Sequence, residues 1–349
     1  MHTTVYFATN RRVTGNGLDP SDYAGEAGPT TGPAGLTFGM AMVEGTDIPN
    51  LAAGHILALD KVGRGSFTSA VGDDIAGGRN LLVFIHGFAN SFTDSVTRAA
   101  FNREFLAASG EAAADCTVLC LSWPSGGAVV REKDVLGGIL LLPVTLAGIL
   151  AGALASPLTN GYVADKAAAD ASGPDAVRIL SGLRPIADEV RAAGGRVFLL
   201  VHSMGHRVLR AAVSGLVGGP PLFDEVFLAA ADTEHAEDGA GPPFLRNLRA
   251  LASRVTQYAS TADDILRLSQ VVNRQQRLGR DGPIDRTDAT AYPPPQYRLV
   301  DCSAVRDDGP GQGIDTSHQY YRRVPAVRDD IARAMAGGGR GGRSVLPGT

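Results

Sequence analysis

Val197-Phe-Leu-Leu-Val-His-Ser-Met-Gly-His206 joins an apolar run to an amphipathic stretch, with Ser203 at the junction and Gly205 two residues on. In a nucleophile elbow the serine sits on a strained strand-to-helix turn that lifts its hydroxyl clear of the sheet, and the residues two places either side need to be small. Gly205 meets that requirement and Val201 does not, so the pattern is Val-His-Ser-Met-Gly. The plain alternative is a helix N-cap, a position that serine also favours. Leu81-Leu-Val-Phe-Ile-His-Gly-Phe88 is a second apolar run, ending in His-Gly ahead of a polar loop. In hydrolases built this way an oxyanion is held by the N–H after the nucleophile and by another from the loop after an earlier central strand, which selects Met204 and Phe88. An ordinary strand-ending turn is the alternative for His86-Gly87.

A serine nucleophile needs a base, and seven histidines are available. His2 and His55 lie near the N-terminus, His86 in the expected oxyanion loop, His202 and His206 beside the serine, and His235 after the next strand. The chain order Ser, acid, His calls for a histidine after the last strand, and His318 in Gly-Ile-Asp-Thr-Ser-His-Gln-Tyr is placed there. The acid should follow a strand between them. Tyr-Ala-Ser-Thr-Ala-Asp263 fits best and Leu-Ala-Ala-Ala-Asp232 competes, while either carboxylate read alone is a helix cap or a solvated residue. His202 and His206 also have the i, i+4 spacing of a metal pair, but the glutamate of His-Glu-x-x-His is missing and His202 precedes the helix.

These residues need a frame. Runs at Leu81–Ile85, Thr117–Trp123, Arg196–Val201, Asp224–Ala229, Arg254–Ser260 and Tyr297–Cys302 are mostly apolar on both faces, as strands buried between helix layers must be. Helices are expected between them at Asp94–Ala108, Pro174–Ala193, Met204–Val217, Asp264–Val272 and Pro325–Ala336. The alternation predicts a mostly parallel α/β sheet flanked by helices, with Val5–Ala8, Leu36–Val43 and His55–Leu59 as antiparallel strands leading into it. One domain over residues 1–335 is expected, followed by a Gly/Arg-rich tail, 336–349, too polar to offset its ordering entropy and therefore disordered. An RNA-binding Arg-Gly tail is the alternative reading of that segment.

Composition narrows the function. With 32 basic and 36 acidic residues and a net charge of -4, the chain has no cationic excess to neutralise nucleic-acid phosphates. Hydrophobic residues at 44% and charged residues at 19% match a soluble globular protein. Cys116, Cys120 and Cys302 form neither a disulfide framework nor a zinc spacing, which suits a reducing compartment. The start, Met-His-Thr-Thr-Val-Tyr-Phe-Ala, lacks a signal-peptide core, so a cytoplasmic location is expected. Val135 to Ala164 contains no charged residue, and its core is about as long as a membrane span. Strands of one sheet on both sides, and Pro143 within, argue against crossing. A helical cap over 126–162 is expected instead, with 135–158 either lining a pocket or touching a membrane interface.

Taken together, Tyr6-Phe-Ala-Thr-Asn-Arg11, Leu36-Thr-Phe-Gly39, Phe84-Ile-His-Gly-Phe88, Ser122-Trp-Pro-Ser125, His202-Ser-Met-Gly205, Leu228-Ala-Ala-Ala-Asp232, Tyr258-Ala-Ser-Thr-Ala-Asp263 and Ser317-His-Gln-Tyr320 form a specific combination. It resembles a bacterial group of α/β-hydrolase-like proteins of unknown function, akin to esterases and lipases, over about residues 3 to 335. The resemblance implies an α/β-hydrolase fold with Ser203, Asp263 and His318 as triad. Val201 and the apolar insertion depart from the group's pattern. The expected activity is hydrolysis of short to medium acyl esters, bulky or polymeric ones included, by a serine enzyme that needs no cofactor. His86, Leu142, Leu146 and Leu150 are the expected pocket residues. Acyl transfer through the same triad, or a non-catalytic membrane-associated scaffold, are the rival functions.

Overall fold

The computed structural model describes residues 2–28, 35–126, 157–236, 244–284, 286–310, 316–339 and 341–348. Its strands are β1 (His2–Thr9), β2 (Arg11–Val13), β3 (Tyr23–Ala27), β4 (Thr37–Glu44), β5 (His55–Val62), β6 (Asn80–Ile85), β7 (Cys116–Ser122), β8 (Val197–His202), β9 (Phe223–Ala229), β10 (Ala252–Ala259), β11 (Tyr297–Asp301) and β12 (Gly342–Val345). The α-helices are α1 (Arg64–Ile75), α2 (Phe92–Ala107), α3 (Pro157–Ala171), α4 (Gly173–Ser181), α5 (Arg184–Ala192), α6 (Gly205–Leu216), α7 (Phe244–Leu251), α8 (Asp264–Asn273), α9 (Leu278–Asp281) and α10 (Pro325–Met335).

Ten strands form one sheet in the order β12-β11-β10-β9-β8-β6-β7-β1-β4-β5, and β2 pairs with β3 apart from it. From β12 across to β1 every pairing is parallel; β4 and β5 close the far edge antiparallel. The early strands therefore enter the sheet through β1, which is antiparallel to β4 but parallel to β7.

Alternate residues of the central strands feed two cores. Val197, Leu199 and Val201 of β8 join Leu81, Val83 and Ile85 of β6 in one, beneath Val71, Leu180, Val190 and Val208 of α1, α4, α5 and α6. Phe198 and Leu200 join Leu82 and Phe84 in the other, beneath Phe92, Val96, Val327 and Ile331 of α2 and α10. Each such side chain contributes roughly 1.5–3 kcal/mol on full burial, which is why the runs are apolar on both faces.

Two expectations are corrected. The helix read over Pro174–Ala193 is two helices, α4 and α5, broken at Gly182 and Leu183. Pro185 lies in the first turn of α5, where its missing N–H costs nothing, but it cannot continue the helix before it. The tail read as disordered carries β12, paired in parallel with β11 from Arg298↔Gly342 to Asp301↔Val345. The open edge of β11 offers unpaired backbone groups, and Leu346 N–H donates to Asp301 O at 3.0 Å. No helix among the described residues is long and apolar enough to cross a membrane.

The chain runs from β6 to β7 on one side and then crosses to β8 on the other. At that reversal β6 leads on to β7 and β8 leads on to β9 in opposite directions across the sheet, and open parallel sheets bind ligands in the crevice outside such a switch point.

Candidate active site

Ser203 follows β8 at the reversal. Its φ of 52° is left-handed, unusual for a residue with a side chain, and its N–H donates to Ala229 O at 3.1 Å. Its carbonyl accepts from the N–H groups of His206 (3.1 Å) and Asp232 (3.2 Å). The turn is therefore tied to β9 and to α6. A Cβ on Gly205 would lie 2.5 Å from His86 O and 2.9 Å from Ile85 O, so α6 can start here only with glycine. Val201, fully buried in β8, is held between Ile85 and Leu228 in the register and leaves the left-handed turn intact. The need for a small residue falls on the helix side of the serine.

The loop after β6 presses against this turn. A Cβ on Gly87 would lie 2.8 Å from Ser203 Cβ and 3.0 Å from His202 Nδ1. Met204 directly follows the serine and Phe88 directly follows Gly87, and among the described residues neither N–H donates to a protein acceptor. Met204 directly precedes α6, whose first N–H groups have no intrahelical partner.

Asp263 follows β10 and His318 follows β11, and their side chains meet. Asp263, fully buried after β10, is the N-cap of α8: its Oδ1 accepts from Leu266 N–H at 2.8 Å. Its Oδ2 accepts from His318 Nδ1–H, also at 2.8 Å. That bond leaves Nε2 as the imidazole's free lone pair. His318 lies on a 3-10 turn, Thr316–His318, pinned by Ser317 Oγ, which accepts from Asp264 N–H at 3.1 Å. The His202 ring packs 4.8 Å from that of His318, and its Nε2–H donates to His318 O at 3.3 Å. Burial, then the neighbouring His318, pushes the His202 pKa well down, so it stays neutral.

Asp232 goes elsewhere. Its carboxylate accepts from Tyr162 OH (2.8 Å) and Ser269 OH (2.5 Å), and pairs with Arg277 Nε at 3.2 Å. Of the two competing acids, the structure brings Asp263 to the imidazole.

His86, expected to line a substrate pocket, makes its contacts inside the fold. It is fully buried, stacked 5.1 Å from Trp123 with the rings 4° from parallel, and its Nδ1–H donates to Gly87 O at 2.9 Å. Burial, with Arg11 nearby, lowers its pKa far below the usual histidine range. The histidines once weighed as a metal pair bond different carbonyls, His202 to His318 O and His206 Nδ1 to Ser203 O at 2.7 Å. Among the described residues no cluster of three His, Cys, Asp or Glu could hold a metal. Leu142, Leu146 and Leu150, and with them the 126–162 cap from 127 to 156, lie outside the described residues. The helix after that segment, α3, sets the Tyr162 ring 5.8 Å from Phe88.

A mostly parallel sheet between helix layers, with a serine in a left-handed turn after its central strand, is the α/β-hydrolase architecture. The chain belongs to the family described as alpha/beta hydrolase of unknown function (DUF900), whose model matches residues 64–333. No curated protein matches the sequence. Among solved structures, the chain is similar to LpqC, a poly(3-hydroxybutyrate) depolymerase from Bordetella parapertussis, at 16% identity over 78% of this chain and 75% of that one. The TM-score between the two is 0.26.

Proposed function

We propose that the protein is a serine carboxylic-ester hydrolase. Ser203 Oγ attacks the ester carbonyl as His318 Nε2 takes its proton, and Asp263 stabilises the imidazolium and holds its tautomer. The carbonyl oxygen becomes an oxyanion held by the Phe88 and Met204 N–H groups, a contribution of about 3–4 kcal/mol per donor. Collapse expels the alcohol, protonated by His318, and leaves an acyl-enzyme on Ser203. Water, deprotonated by the same imidazole, attacks the acyl carbon; the second collapse releases the acid and returns the proton to Ser203.

The observation that carries this reading is the 2.8 Å bond from His318 Nδ1 to Asp263, which frees Nε2 to act as base. Substrates with apolar acyl groups are favoured by the charge-free sequence of residues 135–158, with short to medium chains the first to test. A panel of p-nitrophenyl esters from acetate to palmitate, with and without added alcohol, identifies the acyl preference and separates hydrolysis from acyl transfer. Ser203→Ala should lower kcat by several orders of magnitude and abolish labelling by a fluorophosphonate. Labelling that persists in the variant at another serine refutes the assignment.

A further inference from the structure

The motifs at Arg11 and Ser122–Ser125 have no part in the triad, yet they converge beneath the Phe88 loop. Arg11, the first residue of β2, is 2% exposed and uses every nitrogen of its guanidinium. Nε donates to Ser122 Oγ at 2.9 Å, Nη1 to the carbonyls of Ala24 and Ser125 at 3.2 Å each, and Nη2 to the Asn90 carbonyl at 2.7 Å. Burial lowers its pKa only to about 10, so it is charged at neutral pH.

Asp165, buried on α3, meets the same loops from the other side. It accepts from the N–H groups of Ala89 (3.2 Å) and Gly126 (3.1 Å) and from the Ser125 hydroxyl. Ser125 Oγ in turn accepts from Asn90 N–H at 3.2 Å. Asn90 closes the loop on itself, its Nδ2 donating to Gly87 O (3.0 Å) and Phe88 O (2.7 Å). Ala89 is held left-handed, with φ 55°.

The N–H groups of Ala89 and Asn90 and the carbonyls of Gly87, Phe88 and Asn90 are thus engaged, whereas the Phe88 N–H, among the described residues, has no acceptor. A buried cation and anion are a poor source of stability, because desolvation offsets their attraction. What the pair supplies is position: a rigid fork on one side and a carboxylate on the other fix a loop that would otherwise open locally.

We propose that Arg11 and Asp165 are positioning residues for the oxyanion hole. Neither touches substrate; together they hold the Phe88 N–H where the oxyanion forms. This inference rests on the ester-hydrolase reading above.

The test uses the full chain carrying Arg11→Lys, which keeps the charge and loses the fork, Asp165→Asn, and the milder Ser125→Ala. A displaced oxyanion donor weakens transition-state binding and leaves ground-state binding unchanged. Each folded variant should lose about 10- to 100-fold in kcat with KM within about two-fold, and bind phenylboronic acid, which forms a tetrahedral Ser203 adduct, more weakly by a similar factor. A purely structural role would lower the melting temperature and leave the kcat of the folded fraction and the boronate affinity unchanged. Should Arg11→Lys not fold, Asp165→Asn and Ser125→Ala carry the test. Wild-type kcat and boronate affinity in those two refute the positioning role while the triad stands. Absence of Ser203-dependent hydrolysis and boronate binding in the wild-type protein refutes the ester-hydrolase reading itself, and this one with it.

Discussion

Two buried carboxylates follow adjacent strands, and substituting each by asparagine should separate catalysis from stability. Asp263 caps α8 through Oδ1 and orients His318 through Oδ2. Asparagine caps a helix about as well as aspartate, so Asp263→Asn should change stability by no more than about 1 kcal/mol. Its amide has one oxygen, and when that oxygen accepts from Leu266 N–H the NH2 group is left facing Nδ1, so the imidazole proton moves to Nε2 and the base is lost. A loss of about 10⁴ in kcat follows, equivalent to roughly 5.5 kcal/mol of transition-state stabilisation.

Asp232→Asn should behave in the opposite way. Arg277 is fully buried 3.2 Å from Asp232, and the substitution leaves its charge with Glu234 at 3.8 Å as the remaining carboxylate partner. Breaking a buried pair costs about 3–5 kcal/mol, and the low end applies because Glu234 stays. The assay is kcat on a p-nitrophenyl ester, normalised by active-site titration, beside urea unfolding of both variants. Asp263→Asn with kcat within tenfold of wild type, or Asp232→Asn with a loss above about 10³ in fully folded protein, would refute the assignment of roles.

Gly205→Ala places a Cβ 2.5 Å from His86 O, a backbone atom that cannot yield, so α6 must shift. A loss of about 1–3 kcal/mol in urea unfolding, with kcat falling alongside, is expected, and wild-type values for both would contradict the packing argument. Burial holds the His206 pKa at about 4 against an ordinary 6.5. Between those values the unfolded chain binds the proton and the folded one does not, so stability is complete above pH 6.5 and lost as the pH falls towards 4. His206 accounts for up to about 3 kcal/mol of this, and His86 and His202 act in the same direction. Urea midpoints from pH 7.5 to 4.5 should fall less steeply in His206→Gln, and parallel curves would count against it.

The central strands were legible because burial on both faces forces apolar runs, and the elbow because Gly205 is required by a contact that recurs wherever a helix starts so close to its neighbouring strand. What escaped is what depends on partners distant in the chain. β12 pairs through backbone groups, which leave no apolar pattern in Gly-Arg-Ser-Val. The contacts of Arg11 leave no local pattern either, since its acceptors lie at residues 24, 90, 122 and 125. Asp232 and Asp263 look alike locally, each following a strand, and are separated by Arg277 and His318 respectively. The helix-cap reading of Asp263 and its catalytic reading nonetheless turn out to be compatible. A carboxylate has two oxygens, and the one spent on Leu266 N–H fixes the direction of the other towards His318. The cap is thus the local device by which α8 aims the acid, and a residue chosen for either role alone would show the same signature in the sequence.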